Sequence, residues 1–321
     1  SLQYKRIIQW THEREFHKMD VKQPDTSYNH WLHDYPFYRK DVNATWLGVA
    51  GSALQYYNWF NRTSENGVSF YNPYESWTYS TKTLPMYNTK TPYTELAYFG
   101  TIFANAQKES DNLHILTTQN IFPELNFTLE YDRFGGNGIM QGEKTTNKTF
   151  VTSVNYLGKR YMMHTGYIHN KVIRKENGGT SDNSMVRDTT LDAREYPINL
   201  NNASTDLIRN TFFLDQQYRI PFTFIKNLKF RKEIKADGHY RDSILALGDS
   251  TLIQEMEETL AERASAREMA DTLDDQKMTS AFIGHSSELS IFRRVYDDNI
   301  SLNDKAGRAF YKDFFYNPTT S

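Results

Sequence analysis

From Glu124 to Phe134 the chain reads ELNFTLEYDRF, with apolar and polar residues in strict alternation. Successive side chains of an extended strand point to opposite faces, so Leu125, Phe127, Leu129 and Tyr131 share one face and Asn126, Thr128, Glu130 and Asp132 the other. The same period recurs in PYTELAYFG (Pro92 to Gly100), NLHILTTQNIF (Asn112 to Phe122), KTFVTSVNYLG (Lys148 to Gly158), RYMMHTGYIHNKVI (Arg160 to Ile173) and FFLDQQYRI (Phe212 to Ile220). SSELSIFRRVYDDN (Ser286 to Asn299) returns to it late in the chain. Closely spaced strands joined by turns predict an antiparallel meander. The GGNG at Gly135 to Gly138 is expected to end its strand. Ala44 to Phe60, with Gly48 and Gly51, is expected to form a bent strand.

Connections between these segments are unequal. The turn at Leu157 to Arg160 is very short, whereas Glu176 to Ser204 reads as a long polar loop. Outer-membrane barrels pair short turns at one end with long loops at the other, although soluble sandwiches also have unequal loops. One segment breaks the period. LIQEMEETLAERASAREMADTL (Leu252 to Leu273) is built from strong helix formers, with Leu252, Met256 and Leu260 in a narrow apolar stripe. Thr251 and Gln254 suggest a capping box at its start. The helix reads as an insertion in a loop of the sheet, either solvated or docking a partner through that stripe.

Composition narrows the setting. The 321 residues carry 37 basic and 39 acidic side chains, so no electrostatic case exists for nucleic acid or anionic lipid. No run approaches the roughly 18 apolar residues of a spanning helix, which leaves strands as the one route across a membrane. Tyr (22) and Phe (20) abound while hydrophobic residues reach only 38%, a balance that suits interfacial aromatic girdles or an aromatic-rich soluble sandwich. Cysteine is absent, which removes disulfides and thiol chemistry.

Candidate chemistry is sparse. No nucleophile elbow, phosphate loop, HExxH or GxGxxG occurs, and the expectation is no enzyme, cofactor or metal site. His12, His17, His30 and His33 lie close together but lack Cys or carboxylates at supporting spacing, which suits packing or surface roles. DDNISLND (Asp297 to Asp304) lacks the glycine and final glutamate of a calcium loop. Asn126, Thr128, Glu130, Asp132, Arg160 and His164 fall on predicted polar faces and are candidate pore-lining residues; the alternative is an ordinary solvated face.

From Tyr87 onward, YNTKTPYTELAYFG, NLHILTTQNIFPELNFTLEYDRFG, GKRYMMHTGYIHNKVIRKENGG, NTFFLDQQYRI, GHSSELSIFRRVYDDN and FYKDFFYNPTTS resemble, in order, the putative porin family of Bacteroidetes. The stretch around Arg241 to Ser280 departs from that pattern. The resemblance implies an all-β, antiparallel transmembrane β-barrel, incomplete in this chain, in the outer membrane of a Gram-negative bacterium. Leu125, Phe127, Leu129, Tyr131, Tyr161 and Tyr167 would face lipid. Residues 1–42 would form a periplasmic or plug-like segment, 43–230 barrel strands, 231–280 the helical insertion, and 281–321 further strands. The expected activity is passive diffusion of small hydrophilic solutes. The alternative is an accessory barrel subunit that binds outer-membrane or periplasmic proteins through Leu252, Met256 and Leu260.

Overall fold

A computed structural model describes residues 6–11, 21–24, 44–62, 68–100, 110–187, 190–220, 231–276 and 281–298. The alternating segments form β5 (Tyr93–Gly100), β6 (Ser110–Phe122), β7 (Leu125–Asn137), β8 (Lys144–Leu157), β9 (Tyr161–Glu176), β10 (Ala203–Arg219) and β11 (Phe282–Asp298). They lie side by side in chain order in one seven-stranded sheet. Pairing is antiparallel from β5 to β8. Contacts such as Tyr167 with Asn210 and Tyr161 with Gln216 run the same way between β9 and β10. Among the described residues the sheet is open, with β5 and β11 as its edges, an incomplete barrel wall. Unpaired edges are intolerable in hydrocarbon, so a wall of this kind needs further strands to close it.

The two faces are inverted relative to a soluble sheet. On β7 the polar residues Asn126, Thr128 and Glu130 are 0%, 1% and 2% exposed, while Leu125, Phe127, Leu129 and Tyr131 are only half-buried. Leu96 of β5 and Ile115 of β6, paired on the apolar face, are exposed at 71% and 37%. Outward aromatics gather in two rows. Tyr131 pairs with Phe150, and Tyr167 lies 4.6 Å from Phe212. Six residues along β7, about 20 Å of strand, separate Tyr131 from Leu125, which faces Tyr156. Past the first row come charges: Arg133 opposite Lys148, and Lys171 3.4 Å from Asp206. An apolar belt edged by aromatics and then by charge is how a barrel wall meets a bilayer.

Several strands run longer than their alternation alone indicates. The expectation that GGNG ends its strand is corrected: β7 continues through Gly135 and Gly136. A Cβ on Gly135 would collide with the Thr145 carbonyl oxygen, so glycine is what lets β8 approach there. β10 begins at Ala203 rather than Phe212.

Other elements lie outside the seven-stranded sheet. β1 (Ile7–Thr11) pairs with β4 (Pro85–Thr89). The expected bent strand over Ala44 to Phe60 is instead a hairpin of β2 (Ala44–Trp46) and β3 (Leu54–Tyr56), because Gly48 and Gly51 adopt φ of 97° and 91°. The described residues between β3 and β4 include 3-10 turns, among them Asn72–Trp77, which carries the buried Tyr74 and Trp77 and follows the buried Tyr71.

The described residues fall into two compact units, the second made of Leu157–Met163 and Asp215–His285. Within it, α1 (Arg231–Leu247) precedes α2 (Ser250–Gln276). Gly248, at φ 68°, turns the chain between them. α2 covers the expected helix, but its cap is Asp249 rather than a Thr251–Gln254 box. Thr251 lies inside the helix, and both its backbone N–H and its hydroxyl donate to the Asp249 carboxylate. Met256 is buried, Leu252 is exposed and Leu260 is intermediate. Asp237 of α1 bonds Arg263 (2.6 Å) and Arg267 of α2.

The Arg263 hydrogen bond, with Arg267 beside it, holds the Asp237 carboxyl below the usual carboxylate range. A depressed carboxyl contributes stability above its unfolded value of about 4 and loses it as pH falls further. Hydrogen exchange over α1 and α2, taken relative to the intrinsic amide rate at each pH, is therefore expected to stay constant from pH 7 to 5 and to quicken below about 4. Asp237→Asn quickens it already at pH 7 by an amount matching about 0.5–1 kcal/mol and flattens the acid response. On the wall, Leu129→Arg is expected to cost about 2–4 kcal/mol in bilayer-refolded protein by denaturant titration. Glu130→Gln, on the other face, leaves folding intact.

Candidate functional site

The polar face of the wall, the expected pore lining, is covered by the chain's own N-terminal part. Asn126, Thr128 and Glu130 are buried on it, Asp132 is half-buried, and His164 of β9 is fully buried. Arg160 is not brought to this face: it is an exposed residue of the β8–β9 turn, where its carbonyl accepts the Arg219 N–H at 2.7 Å. Tyr161 and Tyr167 take outward positions, in phase with Phe212 and opposite to the buried His164 and Ile168. His12, His17, His30 and His33 lie outside the described residues.

Two apolar clusters fix the covering segment. Tyr71, Tyr74 and Trp77 join Leu54 and Tyr56 against Phe134, Val172 and Leu207 of the wall. Trp77 stacks on Phe134 at 4.8 Å, and Tyr71 meets Phe292 edge-on. Ile7 and Tyr87 pack on Leu116. Burial pushes the Tyr71 phenol up to about 12, while its hydroxyl donates to Thr78 at 3.0 Å.

Between these clusters, main chain meets amide side chains. Asn170 is bidentate to Tyr79: its Oδ1 accepts the Tyr79 N–H (3.2 Å) and its Nδ2 donates to the Tyr79 carbonyl (2.8 Å). Asn155 Nδ2 donates to the Tyr87 carbonyl, Asn147 Nδ2 to Gly51 and Thr145 Oγ1 to Ala50. The Thr89 N–H donates to Asn120 Oδ1 at 2.9 Å. A buried peptide group without a partner costs about 1–3 kcal/mol, and these side chains remove that cost where no neighbouring strand could.

Side chains complete the joint. Trp10 Nε1–H donates to His164 Nε2 at 3.2 Å, which puts any single imidazole proton of His164 on Nδ1. The Tyr79 hydroxyl donates to Glu130 at 2.5 Å, and the Thr81 hydroxyl to Glu288 at 2.8 Å. Glu288 lies 3.6 Å from the guanidinium of Arg209, a fully buried residue whose charge also sits over the Phe292 ring. Sequence reasoning placed Asn126, Glu130 and His164 on this face but did not single out Asn147, Asn155, Asn170, Arg209 or Tyr79. The available signal was the inward row of β8, Thr145, Asn147, Thr149, Val151, Ser153 and Asn155, which is mostly polar yet uncharged.

An apolar belt outside, an antiparallel wall and a polar inner face describe a porin architecture. A family model described as "Putative porin" matches residues 6–318. The chain belongs to that family. No curated protein and no solved structure matches it. For a member of the porin family the general expectation is a porin-like, non-enzymatic role in the outer membrane. The match runs through α1 and α2, so the helical pair is contained in a porin-family chain and does not interrupt its membership.

Asn170→Leu keeps the volume and leaves the Tyr79 N–H and carbonyl without their side-chain partner. The expected result is a loss of about 2–4 kcal/mol in protection of the Tyr79 amide, read by hydrogen exchange on the folded protein. Asn210→Leu, on the outer face, leaves that amide unchanged.

Proposed function

We propose that this protein is an occluded porin-like barrel of the outer membrane. Small hydrophilic solutes pass only when the N-terminal segment leaves the inner face of the wall. The observation that carries this reading is the set of hydrogen bonds from Asn147, Asn155 and Asn170 to the main chain of residues 51–87, which fills the face a diffusing solute would otherwise wet. A wet lumen substitutes for the hydration a solute would lose in lipid. Here that substitution is made toward the chain's own peptide groups. The outward row of Leu125, Phe127, Leu129, Tyr131, Tyr161 and Tyr167 is read as the lipid-facing surface.

Planar-bilayer recording of the full-length protein tests it. The wild type is expected to open rarely. Asn155→Leu combined with Asn170→Leu is expected to raise open probability by about 10-fold or more, the equivalent of about 1.4 kcal/mol of lost contact. Equal and frequent openings in both would mean that the segment does not occlude the path.

A second reading, an accessory subunit of an outer-membrane complex, is favoured by where the helices are inserted. α1 and α2 lie in the β10–β11 connection, whose ends bond each other through the Ile220 N–H and the Ala281 carbonyl at 2.9 Å. That end of β10 also bonds the short β8–β9 turn, from Arg219 to Arg160. Short turns of such barrels face the periplasm, which would present the helices there. Excising Arg231–Gln276 is expected to abolish co-purification of a periplasmic partner without changing conductance.

A further inference from the structure

We infer that His114, Glu130 and Asp132 form a site for a divalent transition-metal ion of the zinc class, on the inner face of the wall. The three residues come from two paired strands: His114 lies directly across from Asp132, and Glu130 is the next inward residue of β7. One ligand atom from each falls within 4.8 Å of the others. His114 Nδ1 is 2.5 Å from Asp132 Oδ1 and 3.8 Å from Glu130 Oε1. Ligands bound at about 2.0–2.2 Å sit roughly 3–4 Å apart, so taking up an ion would part His114 from Asp132 by about 0.5–1 Å and leave the His114–Glu130 spacing nearly as it is.

Charge supplies a second argument. Asp132, Glu130 and Glu95 are carboxylates that act on the His114 imidazole. Three carboxylates thus converge on one imidazole, on a face where His114 and Glu130 are almost wholly buried. A divalent cation would take the place of the proton in the Nδ1–Oδ1 hydrogen bond, leaving a neutral imidazole protonated on Nε2, and the carboxylates would balance its charge. One nitrogen and two carboxylate oxygens suit zinc or cobalt. Calcium takes an all-oxygen set of higher number.

The site is distinct from the occlusion proposed above and does not depend on it, although the two meet at Glu130, whose Oε1 accepts the Tyr79 hydroxyl. An ion there would join β6 and β7 to each other beside the covering segment. No channel measurement enters the test.

The full-length protein, purified in detergent and stripped with chelator, is titrated with Zn²⁺ by calorimetry and with Co²⁺ by visible absorption. One ion per chain is expected, with a Co²⁺ d–d spectrum that Zn²⁺ abolishes. Asp132→Asn and Glu130→Gln, both isosteric, should each weaken binding by about 100-fold or more. Heat-modifiable electrophoretic mobility reports whether each variant is folded. Absence of the Co²⁺ spectrum in folded wild type overturns the proposal, whatever the variants do. So does wild-type affinity in both folded variants.

Discussion

Everything inside this wall depends on one constraint: peptide groups brought against a sheet face must find hydrogen-bond partners there. A sheet face offers none from its own main chain, because the ladder consumes every N–H and C=O in the plane. The wall answers with side chains. Asn170 presents an acceptor and a donor to one residue, Tyr79, much as a neighbouring strand would, and Asn155, Asn147 and Thr145 take single carbonyls. With those groups paired, the aromatic residues Tyr71, Tyr74 and Trp77 can bury against Phe134, Val172 and Leu207 at no polar cost.

The outer face follows a different rule. The contacts of its apolar belt are non-directional, so hydrophobicity and ring placement are what count there, and the alternation is cleanest as a result. This is why the wall was legible in the sequence. The outward row Leu125, Phe127, Leu129 and Tyr131 could be read from period two alone, and the order of strands followed from short connections. Strand ends were less legible. Gly135 and Gly136 look like a turn, but both stay in the strand, and Gly135 allows a close approach of β8 that depends on a register partner, Thr146, 11 residues away. β10 was read short because three of its four outer residues before Phe212 are polar, Ser204, Asp206 and Asn210, with Ile208 the one apolar exception.

The inner face was legible in direction but not in medium. A polar row facing water and a polar row facing peptide differ little in sequence, since Asn and Thr serve both. Charge is the discriminating feature. Ions hold water, whereas an uncharged amide accepts a peptide partner without a desolvation penalty of that size. The β8 row is uncharged throughout from Thr145 to Asn155, and it is the row that meets Ala50, Gly51 and Tyr87. The helical pair shows a related limit. α2 announced itself through helix formers, while α1 carries Gly238 and a mixed polar surface, and its placement depends on Asp237 reaching Arg263 and Arg267.

On the inner face charged groups lie to either side of Asn170, and the covering segment is matched to them. His114, Glu130 and Asp132 sit on β6 and β7; Arg209 and Glu288 sit on β10 and β11. Three consecutive residues span the interval. The Tyr79 hydroxyl reaches Glu130, the Tyr79 main chain takes Asn170 of β9, and the Thr81 hydroxyl reaches Glu288. A strip of chain so short can cross from β7 to β11 only if each anchor keeps its position, so the carboxylates at the flanks set where it lies. The neutral amide between them sets how closely. Release of such a strip requires loss of both ends together with the middle, which makes the covered state cooperative rather than a sum of independent contacts.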